Sequence, residues 1–354
     1  MGGAIMKPTG YATVRSQGAL ALLASASAHN MTQTRRTWRT ALHHTLAPAA
    51  LMAWLLTALS TPAHAADTRV SVQDDSGANV TLAAPARRVI SLAPHLTELV
   101  YAAGGGAVLV GAVNYSDYPP EALQLPRVGD NRALDLERIA ALKPDLILVW
   151  RHGNAQRQLD ALRALGIPLF YNTPSSLDDV AVSLQKLGVL LGTQPQAQAA
   201  AAAYRERIAA LRLRYRQQST VRVFYQVWDH PLMTLNDHHW ISDTLRLCGA
   251  RNVFGTLEAG VPTVSTEAVL AADPQAIVTA SAGATRPEQP LPGLQRWQQW
   301  PQLSAVRAGN LLTIDGDLID RPTPRLADGA AQLCMALAGA RARLGQTAAT
   351  SPAP

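Results

Sequence analysis

The sequence predicts an α/β protein of two similar lobes with central parallel-type sheets, joined by one long α-helix. Three observations carry this prediction. Short apolar runs alternate with helical patterns in two separate series, an unbroken helical stretch of 21 residues lies between them, and one short motif occurs in both.

In the first series, residues 89–92, 108–113, 146–150 and 168–171 are apolar runs of strand length. Helical spacing marks 96–103, 136–142 and 155–165 between them, and 177–191 after them. Strands separated by helices of this length form βαβ units, and so pair in parallel. Gly104, Gly105 and Gly106 follow a helix rather than open one, which makes them a C-cap and turn instead of a phosphate loop.

Thr193-Gln194-Pro195 reads as a helix start, an N-cap hydroxyl followed by proline in the first turn. Residues 196–216 contain no breaker, and at 1.5 Å per residue they span roughly 31 Å, enough to cross between lobes. An ordinary packing helix within one domain is the plainer alternative. The alternation then restarts, with strands at 221–228, 276–279 and 311–314 and helices at 241–247 and 327–344. The shared motif is Glu137 with Pro144 seven residues later and Glu267 with Pro274, each followed by an apolar strand. A glutamate near a helix N-terminus is favoured by the macrodipole whatever its function. Its second meaning is a pair of equivalent exposed carboxylates, one per lobe, forming a docking surface.

The 354 residues carry a net charge of +6, from 31 Lys and Arg against 25 Asp and Glu. Residues 1–65 hold Lys7, Arg15, Arg35, Arg36 and Arg39 and no acidic side chain, so 31 − 5 = 26 bases face 25 acids in the remainder, a net of +1. A nucleic-acid partner is therefore not expected of the folded part. Arg35, Arg36 and Arg39 precede an apolar run at 46–59 and a small-residue site at Ala63-His64-Ala65, the three parts of a secretory signal. That run is shorter than the roughly 20 residues of a spanning helix. The expectation is a periplasmic product cleaved near Ala65, with Met31 as the true start of translation. The division is a leader at 1–65, an N-lobe at 66–192, a connecting helix at 193–218, a C-lobe at 219–345 and a disordered tail at 346–354. Cys248 and Cys334 are the only cysteines, and an even count in an oxidising compartment reads as one disulfide.

The mature part lacks G-x-x-x-x-G-K, G-x-S-x-G, H-E-x-x-H and C-x-x-C, and its only lysines are Lys143 and Lys186. No catalytic residue is assigned and no enzyme is expected. A metal-dependent enzyme is the rival from a different class, because Asp229, His230, Asp237, His238 and His239 fall within eleven positions. Spacing alone does not make that a site, so no metal is assigned. The aromatics say more. Trp150 and Trp228 end strands, while Tyr115 and His95 come just after strands. Ligands of open parallel sheets bind outside the carboxyl ends of the strands. These four residues point to a large, flat, aromatic-lined pocket.

Several segments resemble the helical-backbone periplasmic binding proteins of ABC importers, especially the members that bind cobalamin. They are Val89-Ile90-Ser91-Leu92-Ala93-Pro94 with Thr97-Glu98-Leu99, Tyr115-Ser116-Asp117-Tyr118-Pro119-Pro120, and Asp135-Leu136-Glu137-Arg138-Ile139 with Lys143-Pro144-Asp145-Leu146. Trp150-Arg151-His152-Gly153-Asn154, Cys248-Gly249 with Asn252-Val253-Phe254, and Arg321-Pro322-Thr323-Pro324-Arg325 with Gln332-Leu333-Cys334 extend the likeness over residues 88–340. The resemblance implies that Tyr115 stacks on a corrin ring and that Trp150 lines the same cleft. Asp317, Arg321 and Arg151 would orient the ligand's amides. Glu137 and Glu267 would meet arginines on the two subunits of an inner-membrane permease, and Cys248 would pair with Cys334. It further implies a monomer with no cofactor, cobalamin as cargo, and lobes that hinge little. The chain departs from the pattern where such members carry tryptophan near Asn131, Val261 and Leu318 and phenylalanine near Ile319. Trp228 is a gained aromatic that would supply one wall. His95 stands where an axial ligand to cobalt or iron could reach, or serves as a polar residue at a helix start. Haem and ferric siderophores are the alternative ligands.

Overall fold

In this computed structural model, the structure describes residues 68–151, 153, 156–281 and 293–350, with the side chains of 347–350 excepted. The leader and its cleavage site at Ala65 lie outside the described residues, as do His152 and Asn154.

The described chain opens with an antiparallel hairpin, β1 (Val70–Gln73) and β2 (Asn79–Leu82). It lies outside the elements read from the sequence, although its alternating burial is the period-2 signal of a half-exposed strand. Next come β3 (Val89–Ser91), β4 (Leu109–Ala112), β5 (Leu146–Val149) and β6 (Leu169–Tyr171), which pair in parallel in the order β4-β3-β5-β6. All residues of β3 and β5 are buried, as expected of parallel strands covered on both faces. The accompanying helices are α1 (Pro94–Ala102), α2 (Leu136–Ala141), α3 (Gln156–Ala164) and α4 (Leu177–Leu191). A Ser176/Asp179 capping box starts α4, and left-handed Gly192 ends it.

The connecting helix is α5 (Gln194–Tyr215), 22 residues and roughly 33 Å long. It is both connector and packing helix: it lies along α4, touches α1, and reaches two helices of the second lobe. Ala197, Ala201, Tyr204, Ile208 and Tyr215 form its buried stripe.

The C-lobe contains β7 (Val221–Gln226), the short antiparallel pair β8 (Trp228–Asp229) and β9 (Leu232–Met233), and α6 (Trp240–Leu247). There follow β10 (Ala250–Asn252), α7 (Thr266–Ala272), β11 (Ala276–Ser281), α8 (Ser304–Arg307), β12 (Leu311–Asp315), α9 (Gly316–Ile319) and α10 (Leu326–Thr350). The expected tail at 346–354 is therefore helical through Thr350. The sheet order β10-β7-β11-β12 is parallel throughout and repeats the N-lobe order. Cys248, which caps α6, is disulfide-bonded to Cys334 in α10 across a sequence separation of 86.

The internal repeat extends beyond the glutamates. N-caps Asp135 and Ser265 accept the amides three residues later, those of Arg138 and Ala268. Lys143 and Asp273, each preceding a proline, both have positive φ. Arg88 donates to the Leu142 and Lys143 carbonyls, and Arg222 donates to the Asp273 carbonyl. These paired arginines bind the ends of α2 and α7, where helix carbonyls lack helical partners.

The lobes meet at a cluster of ionised side chains. Glu98 of α1 and Asp117 belong to the N-lobe, while Asp317, Arg321 and Arg325 belong to the C-lobe. Arg321 Nη1 donates to Glu98 Oε1 at 2.8 Å and to Asp117 Oδ1 at 2.6 Å, and Nη2 lies 3.2 Å from Asp317 Oδ1. Arg325 forks onto Glu98 at 3.1 and 2.7 Å and covers the Tyr118 ring, 3.7 Å from its centroid. Burial opposes the Arg321 charge, but its bonds to Asp117 and Glu98 outweigh this and hold its pKa above the ordinary value. Removing one partner of a buried pair strands the other's charge. Arg321→Met is thus expected to lower unfolding free energy by about 3 kcal/mol. Urea unfolding would read this, with Arg321→Lys recovering part of the loss; an unchanged midpoint would deny the cluster its role.

Candidate functional site

A cavity of about 420 Å³ opens at the carboxyl edge of the N-lobe sheet. Leu92, Val113 and Trp150 lie just past β3, β4 and β5 and line it, together with Ala93, Pro94, Asn114, Tyr115, Asp130, Asn131, Arg132 and Gly153. The strand-end rule thus brings Tyr115 and Trp150 to one cavity. Tyr115 is 49% exposed and has φ +66, an uncommon conformation for a large side chain. Its loop is held from below. Thr97 Oγ1 donates to buried Ser116 Oγ at 3.0 Å and also bonds Ser91 at the end of β3.

Trp150 is seated between two neighbours. The buried His95 ring meets it edge-on, with centroids 5.5 Å apart and planes at 87°. On another side a Cβ at Gly153 would lie 2.0 Å from the indole, so only glycine fits. His95 Nε2 has no hydrogen-bond partner among the described residues. Burial, and then the charge of Arg321, lower the His95 pKa to about 3. The residue is a neutral imidazole packed against the cavity's indole; it is absent from the cavity lining.

The structure separates the other sequence-derived residues. Arg321 and Asp317 are engaged in the interlobe cluster instead of lining the cavity, because the carboxylates facing Arg321 already occupy its donors. Arg151 is exposed beside Trp150 and does not line the cavity. Trp228 is 47% exposed just past β7, and its Nε1 donates to the His230 carbonyl at 2.9 Å. Glu137 and Glu267 are exposed, each the second residue of its helix. The Glu267 carboxyl is held below the usual range by its own amide and the Ser265 hydroxyl.

The rival metal cluster does not assemble. Asp229 pairs with Arg296 and Asp237 with Arg246, while His239 Nδ1 accepts the Ile241 amide. Burial lowers the His239 pKa to about 3. Among the described residues no three His, Cys, Asp or Glu side chains converge to hold a metal ion.

Sequence reasoning missed the polar wall. Asn114 follows a strand and the same rule could have found it. Residues 130–132 follow no strand in the chain. They reach the cavity because the preceding segment runs beside β4: Ala112 pairs with Arg127, and the Asn114 amide donates to the Gly129 carbonyl at 2.8 Å.

The periplasmic binding protein family matches residues 89–318. The chain is 40% identical over 251 residues to the vitamin B12-binding protein of Vibrio cholerae, covering 71% of this chain and 88% of that protein. It is likewise 40% identical over 254 residues to the vitamin B12-binding protein of Yersinia pestis, with 72% and 87% covered. The crystal structure of the Vibrio cholerae periplasmic vitamin B12 binding protein superposes with a TM-score of 0.65 at 39% identity, over 73% of this chain and 98% of that one. A periplasmic haem binding protein from Pseudomonas aeruginosa gives a TM-score of 0.60 at 29% identity, over 71% and 92%.

The two buried histidines make stability depend on pH. Their folded-state values lie below the ordinary 6.5, so between about pH 6.5 and 3 the unfolded chain binds more protons. Their contribution is complete above pH 6.5 and declines as the pH falls through that window. Substituting His95→Phe keeps a ring against Trp150 and should flatten the dependence by about 1.4 kcal/mol per pH unit within it. Urea midpoints from pH 7 to 4 measure this, and an unaltered slope would contradict a neutral buried imidazole.

Proposed function

We propose that this chain, which belongs to the periplasmic binding protein family, captures cobalamin or a closely related corrinoid and delivers it to an ABC transporter. The protein is a binding protein and not an enzyme. The observation that carries the ligand assignment is the 40% identity, over 88% of its length, to a vitamin B12-binding protein. The 29% identity to a haem binding protein is the weaker likeness, so haem stands second.

The cavity suits a flat macrocycle. Tyr115 and Trp150 offer ring faces and edges at the carboxyl edge of the N-lobe sheet. Trp228 is the candidate to close over the ligand from the C-lobe. Capture is stacking and apolar burial, with no bond made or broken. Because His95 and Gly153 hold Trp150 before any ligand arrives, little ordering of the indole is left to oppose binding.

Topology supports a docking surface at the two glutamates. In a βαβ unit the helix runs against its strands, so its N-terminus lies at their carboxyl edge. Glu137 and Glu267, at the starts of α2 and α7, therefore stand on the ligand-binding edges of the two sheets. We assign them to the two subunits of a permease dimer, and assign the leader to export with cleavage near Ala65.

Calorimetric titration of residues 66–354 with cyanocobalamin is expected to give one site tighter than about 1 μM. No binding heat at micromolar concentrations would refute the ligand. Trp150→Ala should weaken the site about 10- to 100-fold. The double variant Glu137→Ala/Glu267→Ala should bind cobalamin like the wild type yet fail to support its uptake in cells; undiminished uptake would remove these residues from docking.

A further inference from the structure

We propose that Arg132 forms an anion subsite on the wall of the N-lobe cavity, and that it reads the phosphodiester of a complete cobalamin. This rests on the corrinoid reading above and assigns a further residue to the same site.

The charged side chains lining the cavity are Asp130 and Arg132, and the structure uses them differently. Asp130 Oδ1 accepts the amides of Arg132 at 2.8 Å and Ala133 at 3.0 Å, and the Asp130 amide donates to the Ala133 carbonyl at 2.9 Å. The amides of Ala133 and Arg132 hold the Asp130 carboxyl below its usual range, with a smaller contribution from the Arg132 charge. The Arg132 carbonyl accepts Gln158 Nε2 of α3 at 3.1 Å. Gly129 closes the turn at φ +105, where a Cβ would lie 2.1 Å from the Ala133 carbonyl oxygen. The backbone under Arg132 is thus secured within the turn by Asp130 and from α3 by Gln158.

The guanidinium is not used in this way. Arg321 and Arg325 are held by carboxylates, as is Arg296. Among the described residues no carboxylate stands within ion-pair distance of the exposed Arg132 guanidinium, and Asn114 and Asn131 beside it add amide donors to the cavity lining. A planar guanidinium with neighbouring amides suits a tetrahedral or planar oxyanion. The side chains around the corrin ring of cobalamin are neutral amides. The one covalent anionic group is the phosphodiester that joins the ring to its nucleotide base. The nearby Asp130 charge offsets part of the attraction, which keeps the contact short in range and modest in size. Porphyrin carboxylates could meet the same donors, so the test includes them.

The experiment titrates wild type, Arg132→Gln and Arg132→Lys with cyanocobalamin, with cobinamide, which lacks the phosphodiester and base, and with haemin. Arg132→Gln is expected to weaken cyanocobalamin about tenfold while cobinamide changes by less than about twofold, and Arg132→Lys should retain part of the cobalamin affinity. Equal weakening of both corrinoids, or no weakening of either, overturns the subsite while leaving the corrinoid receptor intact. A wild type that takes neither corrinoid overturns the ligand assignment and the subsite together. If it instead binds haemin in an Arg132-dependent way, the anion is a carboxylate and the phosphodiester assignment falls.

Discussion

The Arg321 guanidinium, 5% exposed and surrounded by carboxylates from both lobes, is the contact on which the site's geometry depends. Glu98 belongs to α1, whose first residue Pro94 lines the cavity; Asp117 lies two residues beyond Tyr115. Anchoring those two carboxylates from the C-lobe also anchors the helix start and loop that build the N-lobe cavity. A cluster of this kind is costly to desolvate and is stable only when all its members are present. Its consequence here is placement: the lobes cannot separate without breaking the bonds that Arg321 and Arg325 make to Glu98 and Asp117.

The second constraint is duplication. Two sheets of the same order, each with an arginine at or just before the start of its first strand that binds the end of a capped helix, bring equivalent edges to equivalent places. The repeated part is the support, comprising strands, caps and helix ends. The carboxyl edges of the two sheets differ: the N-lobe has the cavity with Tyr115 and Trp150, and the C-lobe has Trp228 on a short hairpin. A symmetric support and two unlike sheet edges therefore share one architecture.

Much of the fold was legible from the chain because fully buried parallel strands are contiguous apolar runs, as 146–149 shows, and because 177–191 has clear start and stop residues. The elements not read from the sequence lack those signals. β10 is Ala-Arg-Asn, with its arginine exposed, and β8 and β9 have two residues each. Half of the site was also legible, since Tyr115 and Trp150 sit one to three residues beyond strand ends. Arg321 illustrates the limit. A C-lobe arginine near a cleft is equally suited to a ligand amide and to a carboxylate, and no sequence spacing reports that Glu98, 223 residues away, faces it.

By itself the sequence determined the lobes, the connector, the disulfide pair and the aromatic strand ends. Each depends on local patterning or composition that the chain carries in order. Tertiary structure alone decided that His95 is a neutral buried partner of Trp150, that Arg321 bridges the lobes, and that residues 130–132 form a polar wall beside Tyr115. These depend on which distant groups share a low-dielectric space, and desolvation, unlike periodicity, leaves no trace in linear order.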